Sequence, residues 1–234
     1  MKKKTTKCYL YTRVSTSIQV EGYSLDAQRD KLRKYAAYED MVIAGEYSDE
    51  GFSGKNIQGR ADFRRMLNDI QRAADGGESL GGTIACYAIG VPAGVGSPIF
   101  DGIENTIAQL TFGIPGVRGL EFGAGFASAK MTGSQHNDPF YVDEHGHVMT
   151  RSNHHGGILG GISSGMPIAF RVAIKPAASI AKPQETVDYS AMSNEVLPSA
   201  LNPKPCLVPE AVAAVEAAAC IALVSHLLDY PNFV

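Results

Sequence analysis

The chain has no tryptophan, and aromatic residues make up only 8% of its 234 positions. Cysteine is scarce: Cys8, Cys86, Cys206 and Cys220 lie far apart and none forms a C-x-x-C pair. That scatter argues against a disulfide framework and implies reduced thiols, as in a cytosolic protein. Charged residues are sparse at 19%, with a net charge of −3. The longest unbroken apolar run, Ala217 to Val224, is flanked by Glu216 and His226 and is far short of a membrane span. No apolar segment of signal-peptide length follows the basic start Met1-Lys2-Lys3-Lys4. These absences together predict a cytoplasmic protein with no membrane partner.

What is abundant is glycine, 25 residues concentrated after residue 76, which favours tight turns and close backbone approaches over long helices. Hydrophobic content is 44%, an ordinary globular balance. The charge is split along the chain. Residues 1–75 hold 14 Lys and Arg against 11 Asp and Glu, whereas residues 76–234 hold 7 against 13. Composition and motifs both change near residue 72, so two domains are expected, 1–72 and 73–234.

In the first, the β-branched and aromatic run Tyr9 to Val14 predicts a strand, and Ser24-Leu25-Asp26-Ala27-Gln28 reads as a helix start with Gln28 near the capping-box position. Leu25, Leu32, Tyr35 and Ala36 fall on one helical face. A second strand is expected over Met41–Tyr47, a polar loop over Asp49–Gly54 and a helix over Ala61–Ala74 with Phe63, Met66, Leu67 and Ile70 inward. The order β-α-β-α is the start of a parallel α/β sheet. Arg13-Val14-Ser15-Thr16 closes the first strand, where α/β sheets place their sites. A serine beside a fixed guanidinium suits attack on a phosphodiester, the arginine balancing charge on the phosphoryl oxygens.

The series Tyr11-x-Arg13-Val14-Ser15-Thr16, Gly22-Tyr23-Ser24-Leu25-x-x-Gln28, Tyr47-x-Asp49-x-Gly51-x-Ser53-Gly54 and Arg60-x-x-Phe63 resembles the N-terminal catalytic domain of serine recombinases, over residues 6–71. The resemblance implies that Ser15 is a nucleophile toward DNA, with Arg13, Gln28 and Arg60 around the scissile phosphate. It stops at Gly76–Gly82, where the family's further arginine-bearing segment has no counterpart.

The second domain reads as α+β. Strands are expected over Thr83–Val91, Val117–Phe122 and Pro167–Ile174, helices over Asp101–Phe112 and Glu210–Leu228, and a hairpin with strands Phe140–Val142 and His147–Met149 around the turn 143–146. Gly77-x-Ser79-x-Gly81 has the spacing of a nucleophile elbow, but a helix precedes it and a strand follows, the reverse of what an elbow needs. The run Gly156–Gly165 lets backbone N–H groups approach an anion, and Lys175-Pro176-Ala177-Ala178-Ser179 offers a cation, a rigid turn and a hydroxyl after a strand. Turns at sheet edges would need the same glycines. His145-x-His147 lies in a predicted exposed turn with no cysteine or carboxylate at standard ligand spacing, so no metal is expected.

Gly77-Glu78-Ser79-x-Gly81-Gly82, Gly90-Val91-Pro92-Ala93-Gly94-x-Gly96, Ile114-Pro115-x-Val117-x-Gly119, Met131-x-Gly133-Ser134-x-x-Asn137-Asp138, the Gly156–Gly165 run and Phe170-Arg171-Val172-Ala173-x-Lys175-Pro176-x-x-Ser179-Ile180 follow one another in an order and spacing that resembles chorismate synthase. The resemblance covers residues 76–228. It implies part of a β-α-β sandwich, and FMN-dependent elimination of phosphate from 5-enolpyruvylshikimate 3-phosphate. It also implies a small phosphate substrate, a homo-oligomer, and a reduced-FMN site at Pro115, Gly116, Gly160 and Lys175-Pro176-Ala177-Ala178-Ser179. Three positions depart from the family. Asn202 replaces a flavin-contacting arginine, Glu210 replaces another arginine, and Ser225 replaces a carboxylate before His226. Serine is not a base near neutral pH without activation. Turnover is therefore expected to be impaired or lost. Together the two resemblances imply a fusion of a truncated serine recombinase head with a truncated chorismate synthase tail, and the alternatives are a recombinase-like protein acting on DNA through Ser15 and a non-catalytic fusion remnant. Both domains lack strands that would complete a sheet, and open edges invite association.

Overall fold

The computed structural model describes residues 7–14, 25–38, 41–50, 60–200 and 202–229. They fall into two units, residues 1–78 and 79–234, each taken separately below. The expected boundary at 72/73 falls inside a helix of the first unit.

In the first unit, strand β1 (Lys7–Val14) pairs in parallel with β2 (Val42–Glu50), and α1 (Leu25–Tyr38) is the crossover between them. Parallel neighbours require such a connection. The register runs from Lys7 opposite Val42 to Val14 opposite Glu50, with one irregularity between Cys8 and Tyr9. Helix α2 (Ala61–Ala74) buries Met66 and Ile70, while α1 buries Leu25 and Ala36. Both helices follow the apolar spacing read from the sequence. The segment 51–54 and Ser15 lie outside the described residues.

The second unit is built on one strand. β9 (Ile168–Ile174) has β3 (Gly82–Ala88) on one side and β4 (Val117–Phe122) on the other, both antiparallel. Alternation puts Ile168, Phe170, Val172 and Ile174 on one face of β9, all buried. Ile84 and Leu120 stand opposite Val172 in register, so all three strands present the same apolar face. Helices α3 (Ile103–Phe112) and α5 (Val208–Leu228) pack together with that face, burying Ile103, Ile107, Val215, Ala219 and Ala222 in one core. The opposite face of β9 carries Arg171, ion-paired to Glu121 directly across on β4 at 2.7 Å.

The remaining elements are short. Helix α4 is Gly133–His136, opened by a capping box between Thr132 and Gln135. β5 (Phe140–Val142) and β6 (Val148–Thr150) form the expected hairpin, with β6 one residue later than predicted. β7 (Ile158–Leu159) and β8 (Ile162–Ser163) turn the glycine run into a second hairpin, and β10 (Gln184–Asp188) with β11 (Ser193–Leu197) makes a third. The third has no turn signal in the sequence. Its turn uses Met192 at φ 49° and an Asp188 carboxylate that accepts the Ser190 and Ala191 N–H groups, so no glycine marks it. β3 also ends at Ala88 rather than Val91, and a 3-10 turn at Ile99–Asp101 delays α3 to Ile103.

Candidate functional site

The sequence places candidate residues at three places, and the structure treats each differently. In the first unit, Asp49 stands near the end of β2 and is buried. Its carboxylate accepts the N–H groups of Asp62 (3.2 Å) and Phe63 (3.1 Å), capping the first turn of α2. The Tyr11 hydroxyl donates to Asp49 Oδ2 at 2.9 Å. Arg60 donates to the same hydroxyl through Nε (3.1 Å) and Nη2 (2.7 Å), lies 3.8 Å from Asp49 Oδ2, and stacks 4.1 Å from the Phe63 ring centroid. Arg60 thus turns its Nε and Nη2 donors inward to Tyr11. Burial pushes the Tyr11 hydroxyl above its usual range, with its Arg60 and Asp49 contacts acting in opposite directions. Arg13 stands opposite Asp49 in the sheet register, and Gln28 is half-buried on α1.

In the second unit, the glycine run 156–165 meets the N-terminal end of β9. Ala169 N–H donates to Gly156 O at 3.0 Å, and a Cβ on Gly157 would sit 2.4 Å from Pro167 O. A Cβ on Gly161 would sit 2.2 Å from Ser97 O, and Gly161 O accepts the Ile103 N–H that starts α3. These glycines let backbones touch. Gly160, at φ 60°, differs: a Cβ there would meet nothing within 4 Å, so the position faces open space. Ser163 joins the run to the loop before α3. Its hydroxyl donates to Pro92 O and accepts Val95 N–H at 3.0 Å.

Beside that run, the Asp138 side chain is 5% exposed and gathers three groups. Ser152 donates to it at 2.6 Å, and the His154 and His155 N–H groups donate at 2.9 and 3.0 Å. His155 Nδ1 lies 2.7 Å from Oδ2. His154 Nδ1 is 3.0 Å from Oδ1 but makes no hydrogen bond to it. Burial disfavours the charged form of Asp138, yet the Ser152 hydroxyl, the two backbone donors and the His155 ring outweigh it and hold the carboxyl well below the usual range. His136 stacks on the His154 ring at 5.9 Å and meets the His155 ring edge-on at 4.7 Å. No local pattern in the sequence signals this assembly, because Asp138 and His155 are separated by the whole β5–β6 hairpin. Among the described residues, no group of three or more His, Cys, Asp or Glu is placed to hold a metal ion.

The C-terminal end of β9 assembles the other candidates. Lys175 N–H donates to Gly116 O at 2.8 Å, joining the Pro115-Gly116 turn to the Lys175–Ser179 segment. Gly116 sits at φ 93°, and a Cβ there would press on Leu207 at 3.2 Å. Ala177 is buried, and its carbonyl accepts the Ser79 hydroxyl at 2.6 Å, which gives Ser79 a structural role. Gln184 Nε2 donates to Ala178 O at 3.1 Å. The Lys175 side chain is half-buried and has no hydrogen bond or ion pair among the described residues. Pro115, Gly116 and Lys175 to Ser179 are therefore brought together, while Gly160 belongs to the run at the opposite end of β9. Seven strand residues separate those ends by about 20 Å.

The three departing positions are at the surface. Asn202 is exposed, Glu210 pairs with Lys204 at 2.8 Å in the first turn of α5, and Ser225 lines an apolar groove on α5. His226 beside it is buried and shares a 2.9 Å hydrogen bond with Thr106, whose hydroxyl also reaches Gly102 O.

A family model for chorismate synthase matches residues 18–228. The chorismate synthase of Dehalococcoides mccartyi is 48% identical over 160 residues, 68% of this chain and 44% of the relative. That of Thermococcus kodakarensis is 37% identical over 222 residues, 92% of this chain and 62% of the relative. A crystal structure of chorismate synthase superposes with a TM-score of 0.55 at 30% identity, covering 74% of this chain and 44% of that one. The chain belongs to the chorismate synthase family. It spans about half the length of the curated relatives it matches, 44 to 47% for those at 45 to 48% identity. The matched span begins at residue 18, so it enters the stretch with recombinase-like motifs, and these matches lend that reading no support.

Proposed function

We propose that this chain carries the part of a chorismate synthase that receives reduced FMN and a small phosphate substrate, with turnover impaired. The observation that carries this reading is Lys175. It is a half-buried cation without a partner among the described residues, and it is hydrogen-bonded through its backbone to Gly116. A cation next to a glycine turn at a strand end suits an anionic oxygen. The donors at this end fit a phosphate or the flavin's polar edge: the Lys175 ammonium, the Ser179 hydroxyl and backbone made accessible by Pro115-Gly116. Reduced FMN, if bound there, would lend electron density to the departure of phosphate from 5-enolpyruvylshikimate 3-phosphate and recover it, since the elimination is redox-neutral overall. The chain's own residues bind and orient; Pro176 stiffens the segment and Ala177 anchors it through Ser79.

Impairment follows from what stands at the departing positions. Glu210 is a carboxylate already neutralised by Lys204, where an arginine would attract an anion. Ser225 has no basic group to offer. The expected behaviour is therefore saturable FMN binding without chorismate formation. FMN titration by flavin fluorescence and thermal shift, on the wild type and on Lys175→Ala, tests it. Binding lost in Lys175→Ala supports the reading, and no binding by the wild type overturns it, leaving a non-catalytic remnant. The setting is a cytoplasmic homo-oligomer.

A second reading rests on the first unit. β1 ends at Arg13-Val14 on a parallel sheet, with Ser15 next in sequence, an arrangement suited to cleaving a DNA strand. Arg60, held by Tyr11 and Asp49, weighs against it. A covalent DNA adduct abolished by Ser15→Ala is the result it requires.

A further inference from the structure

Three of the chain's six histidines, His136, His154 and His155, meet around Asp138, and the reading built on Lys175 uses none of them. His154 and His155 both turn Nδ1 toward the Asp138 carboxylate, at 3.0 Å from Oδ1 and 2.7 Å from Oδ2. An imidazole that keeps its proton on Nδ1 beside a carboxylate leaves the Nε2 lone pair directed away from it. Asp138 is fixed in turn by the Ser152 hydroxyl and two backbone N–H groups. A hydrogen-bonded carboxylate behind an imidazole is the arrangement that orients histidines on metal ions.

The third ring brings the right spacing. His136 closes α4, and its ring centre lies 4.7 Å from that of His155 and 5.9 Å from that of His154. Two imidazoles on one tetrahedral ion, each nitrogen at about 2.0–2.1 Å, have ring centres roughly 5 Å apart. The rings thus stand at ligating separation, although their nitrogens do not converge on one point as they are oriented here. Convergence asks His136, the one ring not turned to Asp138, to rotate about its own side-chain bonds. His154 gives an independent sign. Its Nδ1 is buried and makes no hydrogen bond among the described residues, despite a carboxylate oxygen at 3.0 Å. A buried ring nitrogen left in this state calls for an explanation. An ion on Nε2 would oblige the proton to sit on Nδ1, facing that oxygen.

We propose that His136, His154 and His155 bind one divalent transition-metal ion, zinc, nickel or copper, with Asp138 holding two of the rings in place. Imidazole suits these ions, whereas magnesium and calcium take oxygen ligands. The His154 and His155 side chains are 33% and 28% exposed, so an ion can reach them. Once bound, it would tie α4 to the 152–155 segment across the β5–β6 hairpin. The site lies beside the glycine run, not at the Lys175 end of β9, and does not depend on flavin binding.

Zinc titrated into the full chain near neutral pH, followed by calorimetry and thermal shift, should bind at one ion per chain and raise the melting temperature. Asp138→Asn removes no ligand and should weaken binding about 10–100-fold. His155→Ala and His136→Ala should each weaken it further, while His145→Ala with His147→Ala at the hairpin tip should leave it unchanged. Circular dichroism of the metal-free variants separates ligand loss from misfolding, and His136, at the end of a four-residue helix, is the safer of the two substitutions. Cobalt in place of zinc should show no thiolate charge-transfer band, which a site at the cysteines would give. Absence of zinc binding, binding that survives in a folded His136→Ala or His155→Ala chain, or a thiolate band would each overturn the proposal.

Discussion

In the first unit Arg33, Arg60, Arg65 and Arg72 each lie against a carboxylate of the same unit: Glu46, Asp49, Asp62 and Asp69. In the second, Lys175 at the end of β9 has no such partner among the described residues, and the exposed strip of α5 is apolar where a solvated helix would be charged. Among the described residues, the first unit is held by a small apolar layer supplemented by a buried polar network around Tyr11, Asp49 and Arg60. The second is held by a larger apolar core centred on β9. A cation already satisfied inside its own fold has little left to offer a ligand, whereas an unsatisfied one in a half-buried position is the better candidate.

The contrast is open to test at several strengths. Ile107→Ala, at a fully buried position in α3, should lower the stability of the second unit by about 2–5 kcal/mol, read by chemical denaturation. If the loss is within about 0.5 kcal/mol, the apolar core is not what holds that unit. Asp49→Ala should cost the first unit about 1–3 kcal/mol, because it uncaps α2 and strands the Tyr11 hydroxyl. A smaller effect from Asp49→Ala than from removing an exposed pair such as Lys34–Asp30 would break the distinction between network and surface charge.

The third test is pH. Asp138 has a folded-state affinity for protons below that of an unfolded aspartate, so the unfolded chain binds the proton first. Its contribution is fully present above the unfolded value, about 4 for an aspartate in a short peptide, and drains away as pH falls below it. Thermal melts of the wild type between neutral pH and about pH 3 should show this acid loss, and Asp138→Asn should flatten the curve over the same window. The smallest effect belongs to Gly160→Ala. It should cost about 1 kcal/mol, the left-handed backbone penalty alone, since the position faces open space.

Much of the architecture can be read from residue order. The β-α-β-α head, the strand Ile168–Ile174 and helices α2 and α3 follow apolar periodicity, which is a local signal, while α5 is legible only as a long alanine-rich run. The candidate segment at Lys175-Pro176 is legible as a cation and a proline after a strand, whereas Pro115 and Gly116 are reached only through the resemblance to the family. What escapes is non-local. Asp138 reaches Ser152, His154 and His155 only because an intervening hairpin folds back, and Gly160 parts from Lys175 only because β9 separates them. The glycine run also has two purposes that its spelling does not separate: Gly157 and Gly161 admit neighbouring backbone, while Gly160 opens outward. The reading of α5 as short of a membrane span counts one unbroken run, whereas the helix as formed is 21 residues long and apolar enough to span by length and composition. Its packing on β3 and α3 accounts for one face as core.

The order of strands in the central sheet bears on how the chain must be made. β3 and β4 leave the ribosome early, and neither pairs with the other; both wait for β9, with Gly82 finding Ile174 and Ala88 finding Ile168 across most of the unit. Until residue 174 has been synthesised, two strands with open hydrogen-bonding edges stand without a neighbour. Such long-range pairing is slow, and the exposed edges are prone to aggregation. A growing polypeptide of this sequence is thus most vulnerable just before its sheet can close, and chaperone occupancy on nascent chains should peak between the emergence of β4 and that of β9.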